Sequence, residues 1–222
     1  TSTRSRWLCF IKSRSNTSFL FLSTKKSFCV IRSTVVDCGV ISAFQSTAKF
    51  SVSFWLKVPN FTANNFIFST FTNTTDTIYA FVDTTGRIVF NVTNFNRAQS
   101  SSNTIVAGQW SNIVLVYDGS FVTPEVMKIY ANGIKVASSA GPATTGAMLS
   151  PTTIGLVPFG NYFEGSIDEF AIYDYSLTAA EALAIGGTVP TDLSLLATPP
   201  TNYYKMGENA TFVYGANPDG TW

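Results

Sequence analysis

Histidine is absent from this chain of 222 residues. Without an imidazole the commonest general base is missing and no Ser-His or Cys-His nucleophile pair can be assembled, so triad hydrolases are excluded. Cysteine is scarce, with Cys9, Cys29 and Cys38 all in the first forty residues. An odd number cannot pair fully within one chain, so no disulfide framework is implied. Structural zinc, which wants four sulfur or nitrogen ligands at short spacing, is not expected either. Charged residues make up only 12% of the chain. Eight of the 14 basic residues (Arg4, Arg6, Lys12, Arg14, Lys25, Lys26, Arg32 and Lys49) precede position 50 with one acidic residue, Asp37, leaving six basic and twelve acidic residues beyond. That acidic remainder lacks the basic face that neutralises phosphates, which argues against a nucleic-acid partner. The early basic residues read as a solvated or partner-docked segment. No apolar run approaches the roughly 20 residues that span a bilayer; "FLFL" at 19–22 is far too short, and no membrane insertion is expected. The chain opens without Met or a signal-peptide layout, which reads as an interior cut or a processed end.

Phe, Thr, Ser, Asn, Val and Ile are plentiful, and these residues suit pleated, half-buried surface. "TAKFSVSFWLKV" (47–58) alternates, with Phe50, Val52, Phe54 and Leu56 on one face and Ser51, Ser53, Trp55 and Lys57 on the other, the period of a strand. "NNFIFSTF" (64–71), "TIYAFVD" (77–83), "GRIVFNVTNF" (86–95) and "GQWSNIVLVYDGS" (108–120) follow, separated by turn-forming clusters. In "VMKIYANGIKVASS" (126–139) the dipeptide Asn132-Gly133 marks a tight hairpin between two short strands, because both turn residues tolerate positive φ. "SPTTIGLV" and "YFEGSIDEFAIYD" complete the series. Short strands at intervals of about ten residues, with no alternating helix, predict an all-β, two-sheet antiparallel sandwich. The period changes near 176, where "SLTAAEALAIGG" offers Ser176 or Thr178 as N-cap, Glu181 in the first turn and Gly186-Gly187 as a stop, which predicts one short helix.

"FSVSFWLKV", "GQWSNIVLVYDG", "KIYANGIKVAS", "TTIG" and "FEGSIDEFAIYDYSLTAAE" resemble, in order and spacing, the laminin G-like domains of the concanavalin A-like lectin and glucanase superfamily. The resemblance covers about residues 40–185 and implies a jelly roll of two curved sheets, with Trp55 and Trp110 at strand positions. It departs at "KSFCVIRSTVVDCG" (26–39), where relatives carry an acidic turn. The division expected is an N-terminal arm over 1–29, the jelly roll over 30–187 and a Pro/Thr-rich strap or linker over 188–222. The last of these, "GGTVPTDLSLLATPPTNYYKMGENATF", resembles the segment following such modules in structural proteins of bacteriophages and other viruses. It implies a capsid or tail surface protein with other virion or surface-protein subunits as partners, located on a virion or extracellularly. The alternative is a carbohydrate-binding module of a secreted or cell-surface bacterial protein, meeting cell-surface glycans.

Asp168 and Glu169 pose the sharpest question of chemistry. Adjacent strand residues point to opposite faces, so the pair cannot flank one glycosidic bond, whose two carboxylates stand roughly 5–9 Å apart. The Glu-x-Asp-x-x-Glu phrase of the superfamily's glucanases is missing, and no enzymatic activity is expected. In many relatives an Asp matching Asp168 helps hold one structural calcium, which ties the last strand to the first, so Asp168 is a candidate calcium ligand. The plainer reading is that Asp168 accepts backbone N–H bonds at a sheet edge, with Glu169 facing water. Glycan binding is expected on a loop rim formed by 72–79, 94–101 and 157–165, with Asp76, Asn96, Arg97 and Tyr162 as candidates. A sugar needs a stacking ring and a few polar groups in a shallow depression. Asn60, Asn73, Asn91 and Asn209 stand in Asn-x-Ser/Thr sequons, which matter only on a eukaryotic secretory route.

Overall fold

A computed structural model describes residues 10–12, 31–32, 35–93, 96–121, 124–156, 162–187, 192–206 and 211–213. The expected N-terminal arm, apart from residues 10–12, lies outside the described residues, as do residues 214–222 of the expected strap and the sequon Asn209. In chain order the strands are β1 (Phe10–Lys12), β2 (Ile31–Arg32), β3 (Val35–Asp37), β4 (Lys49–Lys57), β5 (Asn65–Phe71), β6 (Thr77–Val82), β7 (Ile88–Val92), β8 (Asn96–Gln99), β9 (Ser111–Asp118), β10 (Met127–Ala131), β11 (Ile134–Ser139), β12 (Thr152–Ile154) and β13 (Gly165–Tyr173). Helix α1 (Ala179–Ile185) follows, then β14 (Asn202–Tyr204) and β15 (Thr211–Val213).

The strands form two sheets that pack face to face as a sandwich. Sheet A runs β1-β3-β12-β5-β6-β7-β8 and sheet B runs β11-β10-β9-β4-β13-β15-β2, with β14 also paired to β13. Without the short β1, β2 and β15, each sheet has six antiparallel strands. Alternation decides which side chains enter the core: Phe50, Val52, Phe54 and Leu56 of β4 are fully buried between the sheets. From sheet A, Phe68 and Phe90 meet them, and Phe54 stacks on Phe170 of β13 with ring centroids 5.7 Å apart. Each such ring contributes about 1.5–3 kcal/mol through removal from water.

The expected hairpin is present. Asn132 and Gly133 have φ of 50° and 78°, Ala131 pairs with Ile134, and the Asn132 Oδ1 accepts the Asn112 N–H at 2.8 Å. The expected helix is also present. Thr178 caps α1 through a full capping box with Glu181, and the Gly186 N–H donates to the Ala182 carbonyl at its end. Ala182 and Ile185 then pack on Val114, Val116, Ala171 and Tyr173, and Leu193 and Tyr203 from residues 192–206 join them. The outer face of sheet B is thus roofed by the helix and the segment after it.

Three features differ from the sequence reading. Residues 86–95 do not form one strand, because the chain turns at Thr93, where φ is 42°, and re-enters sheet A as β8. The stretch expected as loop rim at 94–101 is therefore largely strand, anchored by Ala98 at 1% exposure. Asp168 and Glu169 do not lie on an edge strand, because β13 is inside sheet B. They form a β-bulge inside it, where Asp168 opposes Trp55 and Ala171 opposes Ser53, so one extra residue sits on β13. Glu169 is that residue, at φ 51°. Finally, Trp110 precedes β9 and is 42% exposed, whereas Trp55 lies on β4 and is nearly covered.

Candidate functional site

Strand register places two lines of side chains across the outer face of sheet A. Val36, Ile78, Ala80, Phe90 and Ala98 belong to the core, so their sequence neighbours point outward. One line reads Asp37, Thr153, Ser69, Tyr79, Asn91, Arg97, each paired with the next across β3, β12, β5, β6, β7 and β8. With strands about 4.8 Å apart it spans roughly 24 Å. These six residues are polar, with a guanidinium on β8 at one side and a carboxylate on β3 at the other, where Phe10 of β1 is the next residue in register. The adjacent line reads Phe66, Phe81, Val89, Gln99 and is mostly apolar.

The apolar line and Tyr79 form one ring cluster. Phe66 stacks on Phe81 at 4.8 Å between centroids, and Tyr79 lies 5.9 Å from Phe66 and 6.2 Å from Phe81. Among the described residues, the cluster of Tyr79, Phe81, Val89 and Phe66 draws on β5, β6 and β7. Phe66 is its most open ring, half-buried, while Tyr79 and Phe81 are buried. In the polar line, the Arg97 Nη2 donates to the Tyr79 hydroxyl at 3.2 Å. The Asn91 Nδ2 donates to the Thr77 Oγ1 at 3.2 Å, and its Oδ1, shut from solvent, has no hydrogen-bond partner. The hydroxyls of Ser69 and Thr153 both donate to the Leu156 carbonyl, at 2.8 and 3.1 Å, so that turn rests on the far half of the line.

Of the residues expected on a loop rim, Arg97 stands in this polar line. Asn96 is one residue before it at the end of β8, its Nδ2 bonded to the Thr93 carbonyl. Asp76 is held in the β5–β6 turn, where it accepts from the Asn73 Nδ2 at 2.7 Å and sits so close over Gly146 that a Cβ there would overlap it. Tyr162 bridges Leu156 near the opposite end of β5, since the neighbouring Glu164 N–H donates to the Asn65 side chain. Asp76 and Tyr162 are thus separated by about 20 Å of strand and share no depression. A meander sends its successive turns to opposite ends of the sheet.

The Asp168 carboxylate points to the outer face of sheet B and accepts the Glu169 N–H at 2.9 Å. Glu169 is half-buried, and its Oε2 is shut from solvent without a hydrogen-bond partner. Burial, reinforced by the Asp168 charge and partly offset by Lys205, pushes the Glu169 carboxyl up to about 7. Among the described residues no group of three or more His, Cys, Asp or Glu is placed to hold a metal. No helix of the described residues is long and apolar enough to cross a membrane.

Phe66, Tyr79, Phe81 and Asn91 were not among the residues expected at a site. The signal was present in "TIYAFV", where Tyr79 and Phe81 alternate away from core residues Ile78, Ala80 and Val82. A strand with two large rings on its non-core face has something to cover there.

A family model described as the concanavalin A-like lectin/glucanases superfamily, laminin G type, matches residues 33–182. None of the curated proteins matches the chain. Among solved structures, a putative carbohydrate-binding protein from Bacteroides ovatus aligns at TM-score 0.58 and 16% identity, over 79% of this chain and 49% of its own. The CBM40 of Ruminococcus gnavus IT-sialidase, bound to α2,3-sialyllactose, aligns at 0.54 and 16%, over 64% and 84%. Domain 4 of the Geobacillus stearothermophilus extracellular arabinanase AbnA, in complex with arabinotriose, aligns at 0.53 and 18%, over 71% and 75%. At these identities the likeness is one of fold.

Proposed function

This chain belongs to the concanavalin A-like lectin/glucanases superfamily, and we propose that it acts as a non-catalytic carbohydrate-binding module that takes a glycan on the outer face of sheet A. The observation that carries the reading is the polar line lying directly beside the apolar one. A sugar ring has a face of C–H groups and a rim of hydroxyls, so it is matched by rings next to a row of amide, hydroxyl and guanidinium groups. The similar structures that bind sialyllactose and arabinotriose support this reading of the fold. The absence of a histidine base and the bulged, outward setting of Asp168 and Glu169 support a binding role over catalysis. An extracellular setting goes with such ligands. The virion expectation rested on residues beyond the matched 33–182, and nothing in the fold adds to it.

The test is an amide chemical-shift titration of the chain with a panel of oligosaccharides that includes arabinotriose and sialyllactose. Shifts should concentrate in β5 to β8, and Phe66→Ala, which removes the most open ring, should weaken binding severalfold. Shifts confined to the turns around Asp76 or Tyr162, or no shift with any glycan, would refute the assignment.

A further inference from the structure

We infer that Asn132-Gly133 is a site of spontaneous deamidation that the folded hairpin guards, and that its isoaspartyl product unseats helix α1. The reaction needs only water. The Gly133 nitrogen, giving up its proton, bonds to the Asn132 Cγ; the Cγ–Nδ2 bond breaks and ammonia leaves with that proton. Water then opens the cyclic imide at either carbonyl, giving aspartate or an isoaspartate whose main chain runs through Cβ and Cγ. Asn132 is the one asparagine followed by glycine, so no side chain hinders the attacking nitrogen. It is exposed, and the Gly133 N–H makes no hydrogen bond among the described residues. Asp118-Gly119, open to the same closure with loss of water, is set the opposite way. Its carboxylate is 2% exposed and accepts from Ser120 and Ser176, and the Gly119 N–H donates to the Ala48 carbonyl at 2.7 Å.

Two bonds tie Asn132 to β9. Its N–H donates to the Asn112 carbonyl and its Oδ1 accepts the Asn112 N–H, both at 2.8 Å. Closing the imide draws the side chain away from Asn112 and turns the peptide between Asn132 and Gly133, which the pairing of Ala131 with Ile134 holds in place. Deamidation therefore waits for the hairpin to open. Behind the turn stands the end of α1. A Cβ on Gly133 would lie 3.1 Å from the Leu183 Cα, and one on Gly186 would lie 2.3 Å from the Gly133 nitrogen, so turn and helix touch backbone to backbone. An isoaspartate lengthens the main chain by one carbon inside the two-residue turn that sets the register of β10 and β11, and so displaces the surface on which the helix rests. An aspartate at 132 leaves the main chain as it was and keeps an acceptor for the Asn112 N–H.

The experiment ages the whole chain at mildly alkaline pH with and without urea and follows ammonia loss by mass spectrometry of the peptide that holds residues 126–139. Asn132 should deamidate at least about tenfold more slowly in the folded chain than in urea, the factor given by about 1.4 kcal/mol of local closure, while Asp118-Gly119 stays unchanged in the folded chain. The isoaspartyl and aspartyl forms that do accumulate without urea are separated by chromatography and compared by hydrogen exchange. Amides of residues 179–185 should exchange severalfold faster in the isoaspartyl form, whereas the Asn132→Asp variant should exchange like the wild type. Equal rates of deamidation with and without urea would overturn the guard, and an Asn132 that survives in urea as well would overturn the site. An isoaspartyl form that exchanges at residues 179–185 like the aspartyl form, or that circular dichroism shows to be unfolded throughout, would overturn the link to α1.

Discussion

Replacing Glu169 with glycine should stabilise the protein. Glu169 holds φ at 51°, a left-handed conformation reached by few non-glycine residues, which costs about 1–2 kcal/mol. Its Oε2 is shut from solvent without a partner, an arrangement that costs about 1–3 kcal/mol. Glycine removes both and gives back roughly 0.5–1 kcal/mol through the greater freedom of the unfolded chain. Lys205 attracts the carboxylate, so the low end of these ranges applies. The expected gain is about 1 kcal/mol, or 2–4 °C in Tm for a chain of this size. The gain should also depend on pH. The folded-state value of about 7 is raised above the ordinary 4.5. What the protonated carboxyl contributes is therefore fully present below the ordinary value and is lost as pH rises through the folded one. The advantage of the variant should grow between pH 5 and pH 8, read from urea midpoints at both. A variant less stable than the wild type at pH 8 would show that the Glu169 carboxylate is held favourably, and would refute the account.

Asp118 behaves in the opposite sense. Burial tends to raise its carboxyl, but hydrogen bonds from Ser120 and Ser176, with Lys49 at 3.3 Å, outweigh burial and hold it below 3.8. Asp118→Asn should cost about 1.5–3 kcal/mol at pH 7, with the deficit shrinking as acid takes the wild type through its lowered value; a deficit unchanged between pH 7 and pH 3 would count against it. In the hairpin, Gly133→Ala meets both a φ of 78° and the Leu183 backbone 3.1 Å from the new Cβ. It should lower Tm by several degrees through about 1–2 kcal/mol of strain and should loosen α1 from the sheet, seen as faster amide exchange at residues 179–185.

Local patterns carried most of the sandwich. Alternation in "FSVSFWLKV" assigned β4 to the core, Asn132-Gly133 fixed a turn, and the Thr178–Glu181 box started the helix where it stands. β8 was misread because Asn96–Gln99 is short and polar, with only Ala98 entering the core. The bulge at Glu169 escaped notice because an extra strand residue shows only against a partner: without it, Asp168 and Phe170 would follow one another in regular alternation. The candidate site was hidden for the same reason. Ser69 and Thr153 are 84 positions apart and meet only through the pairing of β5 with β12. Arg97 could be picked out by its chemistry, but its neighbours on the line could not.

The two outer faces of the sandwich differ in what they tolerate. A substitution on sheet B is felt by the helix and segment seated on it, and registers as a change in stability. On sheet A, among the described residues, the ring cluster draws on β5, β6 and β7, and the polar line beside it is set by the backbone ladders. On this face, proposed above to take a glycan, substitutions at the exposed Arg97 and Gln99 should alter binding with little change in stability, whereas those at the buried Tyr79, Val89 and Asn91 should alter both.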